Sequence, residues 1–396
     1  MSEARKEFQY FIISPVYVVE SLLDFLRTEF AQSAGIIRDP EVKIMKIDEE
    51  ETRHVPILIT NLELKEKSLH LLKKEIAEEI DIISLPWKNE WLLTRTTTNL
   101  HENLREILSP DILEYIPQAF DTIGNLAILE LDRWGEISEI VGSMSEVQNI
   151  LSLVGETIIK LHKNITTVLR KGGNISGEYR VRKYEMIAGS NQTSTLHKEN
   201  NCMFHVDPTK MFFSSRLSFE RNRVSSLEIK KNSLILDCFA GCGPFSVQIA
   251  HNHDVKIFGV EKNPDAFDYF KKNVVLNSKR LIGSIYPFLG DFRDFYNSNE
   301  GKFCLNKTDY IIMNLPERVF EFIPDIVPYV RNDNTYLILY TFLKSSNPLE
   351  DTELILISNL QDNNICVKEI VQKRIVFSYS PNQNNICIDV KIRKKN

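Results

Sequence analysis

Apolar and polar positions divide this chain into three stretches of different rhythm. The first 95 residues mix a helical pattern over Tyr17–Phe30, a short apolar run Pro56-Ile-Leu-Ile-Thr60, and a charged amphipathic helix over Lys65–Ile80. Lys88–Thr98 reads as a connector. From about residue 100 a strand with a glycine break is expected over Phe120–Leu131, followed by a helix over Ile150–Leu169. The polar run Lys171–Gly177 comes next, then strands over Arg180–Ile187, Ser194–Glu199 and Cys202–Val206. Short apolar runs then alternate with helical segments, as in a parallel sheet with helical crossovers. They are Leu234–Asp237, Val255–Val260, Ser284–Asp291, Asp309–Met313 and Thr335–Phe342. The last two runs, Ile370–Tyr379 and Asn385–Ile392, are joined by Ser380-Pro-Asn-Gln and read as an antiparallel hairpin.

These rhythms set an α/β fold with boundaries at 1–95, 96–205 and 206–396. At 396 residues there is chain enough for two or three cores. No run of about 18 apolar residues occurs, so no membrane span is expected. The acid-bearing start Met-Ser-Glu-Ala-Arg-Lys-Glu-Phe has no apolar core of a secretory signal. Six scattered cysteines and eight histidines show neither C-x-x-C nor zinc spacing, so no metal is expected. A formal net charge of −6 argues against unspecific nucleic-acid binding. Basic residues still gather in Arg170–Lys183, in Arg216–Lys231 and in Lys391–Lys395, as a phosphate-rich substrate would need.

The most informative segment is Leu234-Ile-Leu-Asp-Cys-Phe-Ala-Gly-Cys-Gly-Pro-Phe-Ser246. A buried strand ends in Asp237 and enters a turn on Gly241 and Gly243, where backbone could approach a ligand closely. The next strand ends in Glu261, placed for two ribose hydroxyls. The dinucleotide pattern G-x-G-x-x-G is incomplete, since Ser246 stands where the third glycine belongs. Pro244 also removes an amide that a pyrophosphate would use. Asp237 suits a ligand with an ammonium group, which favours S-adenosylmethionine over a nicotinamide dinucleotide. Asp291, with Phe292, closes a third strand at the adenine position. The competing reading is that these carboxylates cap helices.

The fourth strand ends Asn314-Leu-Pro-Glu317. An amino-group methylase would carry a second proline and an aromatic residue here, and a carbon-5 cytosine methylase a Pro-Cys pair. Both are missing. The target atom is then expected to be neither an exocyclic amine nor a pyrimidine carbon, and the closing antiparallel hairpin resembles that of class I methyltransferases.

Four blocks carry a resemblance: Glu178-Tyr-Arg180 with Ile187-Ala-Gly189; Asp207…Lys210-Met-Phe-Phe-Ser-Ser-Arg-Leu-Ser-Phe-Glu-Arg221; Asp237–Phe245; and Asn314-Leu-Pro316. In this order and spacing they resemble the archaeal and eukaryotic tRNA (guanine-N1)-methyltransferases that modify guanosine 37. Phe120-Asp-Thr-Ile-Gly124 extends the likeness, which covers about residues 100–396. It implies a Rossmann-like cofactor domain, a preceding α+β RNA-binding domain and a small variable N-terminal domain. It also implies S-adenosylmethionine as cofactor and tRNA as partner, with a monomer expected. The compartment expected is the cytoplasm, with nucleus and mitochondrial matrix open by resemblance.

N1 of guanine carries a proton at neutral pH, so transfer there needs a base, and a cation near O6. The resemblance assigns these roles to Glu220 and Arg180, and gives Asn314 the guanine edge with Pro316 stiffening its loop. It assigns cofactor contacts to Asp237, Gly241, Gly243, Glu261, Asp291 and Phe292. Phe212 stands where many relatives have Tyr, so it is expected to pack only, with Arg216 holding the same loop. Two rivals remain at this stage. One is a wybutosine-pathway aminocarboxypropyl transferase using the same cofactor, and the other a silent RNA-binding protein on a methylase fold.

Overall fold

In the computed structural model, the residues described are 8–15, 18–26, 36–38, 52–59, 65–77, 79–86, 99–105, 107–130, 134–176, 181–380 and 383–395. The chain divides into two compact units, Met1–Thr96 and Thr97–Asn396.

In the first unit four strands form one sheet in the order β2-β3-β1-β4: β1 (Phe8–Pro15), β2 (Ile36–Arg38), β3 (Thr52–Ile59) and β4 (Asp81–Pro86). Helices Val19–Leu26 and Lys65–Glu75 supply Leu22, Leu26 and Leu72 to a core that includes Ile12, Val55 and Ile57. The expected helix over Tyr17–Phe30 is therefore described only over Val19–Leu26. The charged helix ends at Glu75, short of Ile80, because Ile80 turns into the core and β4 begins at Asp81. The expected connector over Lys88–Thr98 lies outside the described residues.

The second unit opens with a four-stranded sheet, β5-β6-β7-β8. The predicted strand with a glycine break is a hairpin, β5 (Asp121–Ile123) and β6 (Leu126–Leu129), turning at Gly124. Helices Trp134–Val141 and Met144–Leu161 cross over to β7 (Thr167–Ser176), which lies parallel to β6. Ser143 caps the longer helix by accepting from the Glu146 N–H, and Val147, Ile150, Leu151, Val154 and Ile158 form its buried stripe. The sequence places this helix over Ile150–Leu169, but it stops at Leu161. Branched residues Ile165–Val168 feed the sheet instead, and the polar run after Lys171 continues that strand. β8 (Val181–Gly189) completes the sheet antiparallel to β7.

β9 (Thr195–Glu199) and β10 (Cys202–Val206) form a hairpin through Asn200 and Asn201, both at positive φ. Two left-handed residues match the twist of a two-residue turn, and Asn tolerates that conformation. Asn273 and Asn277 of helix Pro264–Asn277 bond the backbone of His205 and Met203, fixing the hairpin to the following domain.

Seven strands make the last sheet: β11 (Leu234–Asp237), β12 (Lys256–Glu261), β13 (Ser284–Leu289), β14 (Tyr310–Asn314), β15 (Thr335–Leu343), β16 (Ile365–Ser380) and β17 (Gln383–Lys394). Their order is β13-β12-β11-β14-β15-β17-β16, with only β17 antiparallel to its neighbours. The order reverses between β11 and β14, so a crevice opens at the carboxyl ends of those strands, where such sheets bind ligands. Among the described residues no helix is long and apolar enough to cross a membrane.

Candidate active site

A cavity of about 600 Å³ occupies that crevice. Its walls come from the turn after β11, the ends of β12 and β14, the loop before helix Ser218–Ser225, and the mouth of the β5–β8 sheet. Of the expected residues, Phe212, Arg216, Gly241, Glu261, Asp291, Phe292, Asn314 and Pro316 line it.

Glu261 reaches back under the turn, where its carboxylate accepts the N–H of Gly241 at 2.7 Å and of Asn263 at 2.6 Å. Burial raises its carboxyl above the ordinary range, against the pull of those backbone donors. Asp291 accepts from the Lys262 ammonium at 2.7 Å and from the Arg293 N–H. Its carboxyl is lowered, because these charges and bonds outweigh the cost of burial. Asp291 does cap a short helix, so the capping role and a place on the cavity wall coexist. Phe292 is 3% exposed and packs against Phe239, which also lines the cavity.

Asp237 lies one layer deeper and is not on the cavity surface. Its Oδ2 accepts the Ser246 hydroxyl at 2.7 Å, while Oδ1 is buried with no hydrogen-bond partner. Burial pushes its carboxyl up to about 7; Ser246 opposes this and the Glu261 charge adds to it. The two glycines of the turn do different work. A Cβ on Gly241 would meet nothing within 4 Å, whereas one on Gly243 would stand 2.1 Å from the Phe270 ring. Gly243 is thus required for packing against Phe270 of helix Pro264–Asn277, whereas Gly241 borders the cavity itself.

Glu220 is 1% exposed and stands behind the cavity wall. Its Oε2 accepts from Tyr340 Oη at 3.0 Å and Arg223 Nε at 3.0 Å, and its Oε1 from Arg374 Nη1 at 3.1 Å. Tyr340 lies two residues before Phe342 on β15 and faces the same side. Phe342 lines the cavity, so the Glu220 donor sits roughly 7 Å deeper along the strand. Arg180 lies outside the described residues.

Two arginines of the second basic cluster are neutralised inside the protein. Arg221 makes a two-bonded pair with Glu199 at 2.6 Å, both ends buried, and Arg223 pairs with Asp389. At the cavity mouth Arg216 and Lys171 share the carboxylates of Asp121 and Glu130. Among the described residues no group of acids, histidines and cysteines could hold a metal ion.

The sequence profile of the TRM5/TYW2 methyltransferase domain matches residues 195–353, and that of the TYW2 N-terminal domain matches residues 100–193. The tRNA (guanine(37)-N(1))-methyltransferase Trm5b of Pyrococcus abyssi is 34% identical over 73% of this chain and 79% of its own length. The chain belongs to the TRM5/TYW2 methyltransferase family. Trm5b of Methanocaldococcus jannaschii is 31% identical over 84% of this chain and 88% of its own. The solved structure of aTrm5 in complex with tRNALeu superposes with a TM-score of 0.69 at 26% identity, covering 96% of this chain and 99% of that one.

Several neighbours of the site in this TRM5/TYW2 chain had no sequence signal. Tyr340 reads as one more core residue of an apolar strand, and Arg374 as a charge on a solvated hairpin. Lys262 and Ser246 sit beside residues that were recognised, and their contacts with Asp291 and Asp237 follow only from the turns between them.

Proposed function

We propose that this protein transfers a methyl group from S-adenosylmethionine to N1 of guanosine 37 in tRNA, acting as a monomer. Residues 96–205 would take the tRNA and residues 206–396 the cofactor. The observation that carries the reading is one cavity at the sheet's reversal point, lined by Glu261, Asp291 and the Asn314-Leu-Pro316 loop.

The residues present fit the cofactor. The buried Oδ1 of Asp237 lacks a donor, which an ammonium group supplies directly or through water. Glu261 is the acceptor for ribose hydroxyls, and Asp291 with Phe292 flanks the adenine. When bound, the sulfonium supplies an electrophilic methyl group.

The chain's own part is to prepare the guanine. Guanine N1 is not nucleophilic until it loses its proton, and Glu220 is the base we assign to that step. Its Oε1 accepts from Arg374 alone and keeps a further lone pair for a substrate proton. Arg180 would offset the negative charge that moves to O6. Asn314 holds the guanine edge, with its Oδ1 buried and unpartnered. Phe212 packs beside the cofactor, and Arg216 ties its loop to Asp121. Reaching N1 requires the base to leave the anticodon stack, which an unpaired loop nucleotide does at low cost.

The match of residues 100–193 to the TYW2 N-terminal domain supports a second reading, transfer of the aminocarboxypropyl group instead of methyl. Mass spectrometry of nucleosides from a treated tRNA separates the two. One methyl on guanosine supports the proposal, and the heavier group on the base would overturn it.

A further inference from the structure

Three side chains stand abreast on the last strands of the large sheet. Phe342 of β15 pairs with Asn385 of β17, and Asn385 pairs with Phe377 of β16. All three line the cavity, on the side where Asn314 and Pro316 close β14. The Phe342 N–H and the Thr341 hydroxyl both donate to the Pro316 carbonyl, so this row is fixed to the Asn314-Leu-Pro316 loop.

Asn385 is 2% exposed, and its carbonyl oxygen is buried with no hydrogen-bond partner. A buried amide oxygen left without a donor is costly, and nearly all such groups in native proteins are satisfied by some partner. The flanking residues cannot supply a donor, since both are phenylalanine. Asn314 lines the same cavity and carries a second buried amide oxygen without a partner. Two acceptors beside two aromatic rings describe a slot for a flat heterocycle that carries adjacent N–H donors. Guanine offers two such donors on its 2-amino group, which leaves N1 open to the base and the methyl group. Adenine has no 2-amino group and would leave both acceptors unpaired.

We propose that Phe342, Asn385 and Phe377 form the seat of the target base, with Asn385 the residue that selects guanine over adenine. The phenyl groups receive the extruded ring, as aromatic side chains do for unstacked bases. The Asn385 oxygen accepts a 2-amino N–H, which guanine and 2-aminopurine carry and adenine lacks. The seat lies along the same sheet face as Tyr340, so a base held here is on the side of Glu220. This inference rests on the methyl-transfer reading and adds the position of the base.

The test uses the full chain and two tRNA transcripts, one with guanosine 37 and one with 2-aminopurine at position 37. The wild type should methylate the first, and should raise the fluorescence of the second as the base leaves its stack. Phe377→Leu keeps an apolar side chain without the ring, and Asn385→Leu keeps the branched shape of the amide without its acceptor. Each should lower kcat/KM by roughly tenfold. Each should also diminish the fluorescence rise, with cofactor affinity and thermal transition unchanged. Phe342→Leu should act in the same direction. Wild-type kcat/KM together with a wild-type fluorescence rise in these variants would overturn the seat. A wild-type protein inert on guanosine 37 would instead remove the underlying reading, so the two failures are distinct.

Discussion

Replacing Gly243 by alanine isolates what the turn after β11 demands. Gly243 has φ +82°, a left-handed conformation that costs an alanine roughly 1–2 kcal/mol. Its added Cβ would stand 2.1 Å from Cδ2 of Phe270, far inside contact distance. That ring cannot retreat, because a Cβ on Gly259 would already lie 2.5 Å from its other side, and Phe270 is fully buried. Forcing a methyl into a closed site adds about 1–3 kcal/mol, so Gly243→Ala should destabilise by about 3 kcal/mol in total. Gly241→Ala shares the left-handed backbone, at φ +56°, but meets nothing within 4 Å. It should cost about 1 kcal/mol. By calorimetry the first variant should melt about 6–10 °C below wild type and the second about 2–3 °C below. Equal shifts, or a larger one for Gly241→Ala, would refute the argument that Phe270 fixes the glycine.

Three further outcomes follow from the site and its supports. Glu199 is held down to about 2 despite burial, by His197 and Arg221, so its folded value lies below the unfolded 4.5. Its stabilisation is complete above about pH 5 and is lost as pH falls toward 2; Arg221→Met should flatten this acid limb and cost about 3 kcal/mol at neutral pH in denaturant titrations. Asp237 is raised on folding from 3.8 to about 7, so it binds its proton more tightly when folded, and stability falls between about pH 4 and pH 7. Because an ammonium partner needs the charged carboxylate, calorimetric affinity for S-adenosylmethionine should rise through pH 7 in the wild type and be flat in Asp237→Asn. Glu220→Gln should slow single-turnover methyl transfer by at least about a hundredfold with cofactor affinity intact, and an unchanged rate removes Glu220 from its role.

How much of this was legible before any coordinates depends on the distance over which each feature is determined. The strands from Leu234 to Asn314 are short apolar runs closed by an acid, a glycine turn or Asn-Leu-Pro, and local chemistry suffices to place them. The end of helix Met144–Leu161 was not legible, since only the parallel pairing of Thr167–Arg170 with Leu126–Leu129 decides it. β1 was likewise hidden, because its partner β3 lies more than 40 residues along the chain.

The site divides in the same way. Asp291 and Glu261 fall at strand ends and face the cavity, as the order of acidic residues implied. Asp237 shares the motif but lies beneath the surface, and Gly243 answers to Phe270, 27 residues further on. Basic clusters in the sequence suggested phosphate contacts, yet Arg221 and Arg223 meet buried carboxylates on distant strands. Sign and spacing of charges cannot reveal that, since the partners Glu199 and Asp389 are chosen by the fold. Asn385 lacks any local mark; its unpartnered oxygen exists only because three strands bring two phenylalanines to its sides.

The central claim is tested most directly by supplying labelled S-adenosylmethionine with two transcripts of one tRNA, identical except at position 37. The account predicts one methyl group at N1 of the guanosine transcript and none on its adenosine counterpart. Equal labelling of both, or label at any other nucleotide, would contradict it.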